Sequence, residues 1–195
     1  MKANQPHITK LLERCKKSDK MAQLELYKCY SKAMYNTAYR VLRDEFDAED
    51  MMQEAFLSAF TKLEMYKGNV AFGAWLKRIV VNKCLTQLKR NKRYEAVKLE
   101  IVSTSNEREL EEELLEEELN YSEIQPKKVL EALHSLRENY CVILTLNLIE
   151  GYDYEEIAQI LKITNENVRT TISRAKKKLK QKLLIISNKT SVYGR

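Results

Sequence analysis

The 195-residue chain has little that bends, staples or anchors a backbone. It holds four glycines and two prolines, so long helices with few tight turns are expected. Its four cysteines, Cys15, Cys29, Cys84 and Cys141, are far apart and form no CxxC pair. That spacing argues against a disulfide scaffold or a zinc site and for a reduced intracellular protein. The two histidines, His7 and His134, show no metal-ligand spacing, and there is no phosphate-cradling glycine loop. Neither a metal nor a cofactor is expected, and an enzyme is disfavoured. No apolar run approaches the ~20 residues a membrane helix requires. The start, Met-Lys-Ala-Asn-Gln-Pro-His, has no apolar signal segment. The expectation is a cytoplasmic chain with no membrane insertion.

What is present is charge, unevenly placed. The net charge is +6. Residues 99–124 hold ten glutamates and one arginine, a net of −9, which leaves the remainder at +15. Two basic blocks around an acidic one suggest two polyanion-binding modules joined by a segment with another job. A soluble protein that never meets nucleic acid can have the same basic balance, so charge leaves the two readings even.

In the first block, Leu11 to Arg43 reads as helix. Leu11, Leu12, Cys15, Met21, Leu24, Leu26, Tyr27, Met34, Tyr35, Ala38, Val41 and Leu42 recur at spacings that mark a buried stripe. Asp47 is a candidate cap for a helix from Ala48 to about Met65, with Glu49 and Asp50 in its first turn. Met52, Ala55, Phe56, Ala59, Phe60 and Leu63 form its core face. Asp50, Gln53, Glu54 and Leu57 lie on another side. A leucine among acids and an amide suits docking on a basic partner helix. A solvated face with one stray leucine fits the periodicity better.

The next helix runs from about Gly73 to Arg93, with Leu76, Val80, Cys84 and Leu88 as its buried stripe. A second stripe carries Trp75, Arg78, Asn82, Thr86, Lys89 or Arg90, and Arg93. An aromatic followed by an amide, a hydroxyl and cations is apt for single-stranded DNA: stacking, base-edge hydrogen bonds and phosphate contacts. A lone tryptophan is nonetheless more often core.

Asp47-Ala48-Glu49-Asp50-Met51-Met52-Gln53-Glu54-Ala55-Phe56, followed by Phe72-Gly73-Ala74-Trp75-Leu76-Lys77-Arg78-Ile79-Val80-Val81-Asn82, resembles the second conserved region of bacterial RNA polymerase sigma factors. The resemblance is to the small extracytoplasmic-function (ECF) group. It implies that Asp50, Gln53, Glu54 and Leu57 contact core RNA polymerase. It also implies that the loop from Lys67 through Asn69 to Ala71, with Trp75, Arg78, Asn82, Lys83, Thr86 and Arg90, faces the −10 element of promoter DNA. Met51-Met52 stands where the family usually has Leu followed by another aliphatic residue.

Residues 96–125 form an acidic linker. Leu110, Leu114, Leu115 and Leu119 among glutamates are compatible with an amphipathic helix, whereas composition favours a charged tether. The resemblance implies a linker threading the polymerase channel. The leucine stripe equally suits packing between domains or against an inhibitory partner.

In residues 126–188, Val129, Leu130, Leu133, Leu136, Val142, Ile143, Leu146 and Ile149 mark two core helices broken near Glu138-Asn139. Gly151 is a candidate C-cap, and Asp153 with Glu156 a capping-box-like start. Ile157, Ala158 and Leu161 point inward. Thr164 or Asn165 caps a last helix with a stripe of Val168, Ile172, Ala175, Leu179 and Leu183. Its exposed side is expected to offer Asn167, Arg169, Thr170, Thr171, Ser173, Arg174, Lys176 and Lys177. The first half of that set has base-reading chemistry and the lysines suit phosphates. Two capped amphipathic helices meeting near Lys162 form a helix-turn-helix pattern.

Leu148 to Leu161, Val168-Arg169 and Ser173 to Leu179 resemble the fourth conserved region of sigma factors, whose second helix reads the −35 element. Lys162 replaces the family's common glycine at the turn, which calls for a left-handed backbone or a reshaped turn. Arg137 stands where proline often follows leucine. The expectation is all-α: two small helical domains, 8–95 and 126–188, joined by the linker and followed by a tail at 189–195. Expected partners are core RNA polymerase, promoter DNA and an anti-sigma factor. A repressor or activator acting alone on duplex DNA, or a helical anti-regulatory protein, would share single parts of this pattern but not their order.

Overall fold

The computed structural model describes residues 5–91 and 125–192, and its contacts fall into two units, residues 1–92 and 93–195. Linker residues 96–124 and tail residues 193–195 lie outside the described residues. No strand occurs among the described residues.

The first unit is built from α1 (Gln5–Lys16), α2 (Lys20–Leu42), α3 (Glu45–Thr61), a 3-10 turn (Leu63–Met65) and α4 (Phe72–Arg90). Helices α2, α3 and α4 pack pairwise, and α1 lies against α2 and the 3-10 turn. Leu11, Leu26, Val41, Leu63, Leu76, Val80 and Leu88 are buried at their centre. The stretch expected as one helix from Leu11 to Arg43 is two. Ser18 adopts φ 61° and ends α1. Asp19 then caps α2, its Oδ1 accepting from the Met21 amide at 2.9 Å and the Ala22 amide at 3.2 Å. The Ala22 amide, then the Arg14 side chain, hold the Asp19 carboxyl below its usual range. The break rotates the stripe, so Met21 and Leu24, expected in the core, are exposed.

The cap of α3 is Asp44 rather than Asp47, and the helix starts at Glu45. Asp44 Oδ1 accepts from the Asp47 amide at 2.9 Å. The Asp47 carboxylate instead reaches α4, accepting from Gln87 Nε2 at 3.1 Å and Asn91 Nδ2 at 3.2 Å. One of the two nearby aspartates therefore caps the helix and the other ties it to α4. Gly73 opens α4 where a Cβ would lie 2.9 Å from the Tyr30 ring. A side chain at this position would have to push the Tyr30 ring aside.

The second unit holds α5 (Pro126–His134), α6 (Glu138–Leu144), α7 (Tyr154–Leu161) and α8 (Asn165–Val192). Proline starts α5, where its missing N–H costs nothing. The break between core helices falls at residues 135–137, and Asn139 lies buried inside α6 rather than at a break. Helix α6 continues into a π turn, Thr145–Ile149, closed by the Glu150 amide donating to the Thr145 carbonyl at 2.9 Å. Wider winding turns Ile149 partly outward, and Leu130 of α5 is partly exposed too. Both were expected in the core. Gly151, at φ 79°, completes the turn before α7.

Lys162 takes the left-handed conformation at φ 58°, ψ 47°. The Ala158 carbonyl accepts from the amides of both Lys162 and Ile163, the latter at 3.1 Å. A Cβ is disfavoured in this region by about 1 kcal/mol. Lys162→Gly is therefore expected to stabilise the second unit by about 0.5 kcal/mol, after the entropy that glycine adds to the unfolded chain. A urea midpoint that falls would mean the lysine side chain contributes packing that outweighs the strain.

Candidate functional site

Three helix faces carry the residues singled out from the sequence. On α3, Met51, Met52, Ala55, Phe56 and Ala59 are buried and fix the helix. Asp50, Gln53 and Leu57 are exposed on its outer side, Leu57 at 68%. Gln53 Nε2 donates to Glu49 Oε1 at 3.2 Å. Glu54 turns sideways to α4, where its Oε2 meets Lys83 Nζ at 2.8 Å. The structure thereby joins a residue expected to meet polymerase to one expected to meet DNA.

On α4, Leu76, Val80, Cys84 and Leu88 are buried, as their spacing predicts. Asn82, Thr86 and Arg90 are exposed along the opposite side, and Arg78 is half-buried. Thr86 Oγ1 donates to the Asn82 backbone carbonyl at 2.8 Å. Trp75 is half-buried, neither core nor free. Its ring lies 5.3 Å from Tyr66 and 5.7 Å from Phe72, with Tyr66 5.6 Å from Phe72. Tyr66 also donates its hydroxyl to the Val70 carbonyl at 2.6 Å. The loop bearing exposed Lys67 and Asn69 is therefore clasped from beneath by an aromatic triad. Burial pushes the Tyr66 phenol up, so it stays a neutral donor at physiological pH. Tyr66 escaped sequence reasoning. The available signal was three aromatics bracketing a Gly-Asn turn.

On the second unit, Asp153 and Glu156 form the expected capping box: the Glu156 amide donates to Asp153 at 2.8 Å and the Asp153 amide to Glu156 at 3.0 Å. Thr164 caps α8, its hydroxyl accepting from the Asn167 amide at 3.3 Å. Val168, Ile172, Ala175, Leu179 and Leu183 form the buried stripe. Arg169, Thr170, Ser173, Lys176 and Lys177 are exposed, and Asn167 and Arg174 half-buried. Thr171, expected on the exposed side, is buried instead. It is 6% exposed and adjoins the Ile172 stripe, so it is not on the outward side. Thr170 donates its hydroxyl to the Glu166 carbonyl at 2.9 Å.

Residues 26–94 match the Sigma-70 region 2 family and residues 127–179 the Sigma-70 region 4 family. The ECF RNA polymerase sigma-E factor of Escherichia coli K12 is 30% identical over 177 residues, covering 89% of this chain and 92% of that one. The chain belongs to the ECF sigma factors. SigW of Bacillus subtilis is 26% identical to it over 180 residues, 90% of this sigma factor and 96% of its relative. The fold is shared with the Bartonella quintana sigma factor RpoE, solved with the anti-sigma factor NepR. That match has a TM-score of 0.54 at 21% identity, covering 83% of this chain and 96% of that one. As a sigma factor the chain binds core RNA polymerase and promoter DNA and directs promoter-specific transcription initiation. Among the described residues no helix is long and apolar enough to cross a membrane.

Proposed function

We propose that the three faces divide the work of initiation. Asp50, Gln53, Glu54 and Leu57 dock on core polymerase. Lys67, Asn69, Trp75, Arg78, Asn82, Lys83, Thr86 and Arg90 receive the −10 element as its strands part. Asn167, Arg169, Thr170, Ser173 and Arg174 read the −35 element, and Lys176 and Lys177 hold its phosphates. Residues 8–95 and 126–188 are the two working domains, with 96–125 as a tether. The observation that carries this reading is the separation of exposed chemistry from buried stripes on α3, α4 and α8. Each helix is fixed by its apolar side and offers a different polar side: acidic with a leucine, amide and cationic, or base-reading and cationic.

The chain supplies positioning and strand separation, while bond formation belongs to the polymerase, so it is not itself an enzyme. It works in the cytoplasm with that polymerase. An anti-sigma factor is a further proposed partner, supported by a fold relative solved with one.

The test is transcription by core polymerase with this protein on a random-promoter library, comparing wild type with Arg174→Ala. Wild type should enrich two spaced elements. Arg174→Ala should flatten preference at the upstream element by about 10-fold, the worth of one good base contact, with core affinity unchanged. Equal loss of core affinity would overturn the −35 assignment. Enrichment of a single duplex site bound without polymerase would favour an autonomous repressor.

A further inference from the structure

The Glu54–Lys83 pair links two faces that the proposed function keeps apart. Lys83 Nζ and Glu54 Oε2 stand 2.8 Å apart, 29 residues apart in sequence, with side chains 34% and 45% exposed. The pair is not needed to hold α3 on α4. The two helices pack on each other apart from the pair, each with a fully apolar buried side that includes Met52, Ala55, Leu76 and Val80, and the Asp47 clasp on Gln87 and Asn91 ties them again. A pair this open to solvent contributes little to folding. Its charges are, however, the ones each face needs for its own partner. While paired, Lys83 cancels the attraction that Glu54 offers a basic helix, and Glu54 cancels the attraction that Lys83 offers a phosphate.

We propose that Glu54 and Lys83 exchange partners when polymerase docks, so that docking exposes a cation to promoter DNA. A basic group of the polymerase takes the Glu54 carboxylate. Lys83, one residue from Asn82, then turns its ammonium to a phosphate of the strand held by α4. Coupling of this kind is reciprocal: DNA at Lys83 strengthens polymerase docking by the same factor that docking strengthens DNA binding. Its size is bounded by the worth of a half-exposed pair, about two- to fivefold in an equilibrium constant. The inference rests on the assignment of α3 as the docking face.

The experiment titrates full-length protein, labelled for fluorescence anisotropy, with core polymerase. Lys83→Gln, Lys83→Arg and Asp50→Lys are compared with wild type at low and high salt. Lys83→Gln should bind core about two- to fivefold more tightly at low salt, and the gain should shrink at high salt. Lys83→Arg, which keeps the charge that pairs with Glu54, should show no such gain in core affinity. Holoenzyme carrying Lys83→Gln should bind a fork-junction promoter more weakly, with a salt slope lower by about one phosphate contact. Unchanged or weaker core binding by Lys83→Gln, with Asp50→Lys still losing core, overturns the exchange alone. Wild-type affinity in Asp50→Lys overturns the docking face itself. A purely structural pair would lower both affinities together with the melting temperature.

Discussion

Reversing the charge at Asp50 and Glu54 is expected to lower affinity for core polymerase on the order of 100-fold. Placing two lysines against a basic partner helix converts attraction into like-charge contact, which costs several kcal/mol at an interface. Asp50 is exposed, so its substitution leaves the fold intact. Lysine at position 54 faces Lys83 across α3 and α4, and the long side chain can swing to solvent. Competition with the unlabelled wild-type protein for core, together with a thermal melt of the free variant, separates docking from stability. Normal assembly of a folded double variant would reduce this face to a solvated one, with Leu57 a stray leucine.

The second large effect is expected at Leu76. This side chain is completely buried on α4, which packs on both α2 and α3. Leu76→Ala removes three carbons' worth of packing and leaves a space that neighbouring helices fill only in part, a loss of about 3 kcal/mol. For a unit of this size that lowers the melting temperature on the order of 15 °C. Promoter opening should fail at temperatures where the variant unit unfolds and recover below them. Asn82→Ala, on the exposed side of the same helix, should leave the melt unchanged. A melt shift below ~5 °C in Leu76→Ala would mean that the site collapses around the cavity.

Where sequence sufficed, the decisive interactions were local. The stripes Leu76, Val80, Cys84, Leu88 and Val168, Ile172, Ala175, Leu179 follow from helical period alone. The capping box at Asp153 and Glu156 spans three residues and formed as expected. Where it failed, a distant partner or a missing breaker was responsible. Asp44 and Asp47 look equally able to cap α3. What separates them is that Gln87 and Asn91, 40 and 44 residues on, hold Asp47. Neither Lys17 nor Ser18 is a glycine or proline, so an unbroken helical period puts Met21 and Leu24 on the buried face, where the break at Ser18 leaves them exposed. The π turn at Thr145–Ile149 shifts Ile149 without any glycine or proline to announce it. Thr171 was misplaced by one position because Thr170, Thr171 and Ser173 share the same chemistry. The Glu54–Lys83 pair joins two helices, and neither segment alone could reveal it.

Among the described residues, three helices end at a left-handed residue that is not glycine: Ser18, Arg43 and Lys162. At each, the locally cheaper backbone is simply more helix. The instruction to turn therefore resides in the apolar stripes on either side rather than in the turn itself. For the α7–α8 junction this implies an order of events, with Val168 and Ile172 packing before Lys162 crosses into its final conformation. Relief of strain at that residue should then lengthen the lifetime of the folded unit by slowing its unfolding, and leave the refolding rate nearly unchanged. A refolding rate that rises as much as the unfolding rate falls would place the turn early instead.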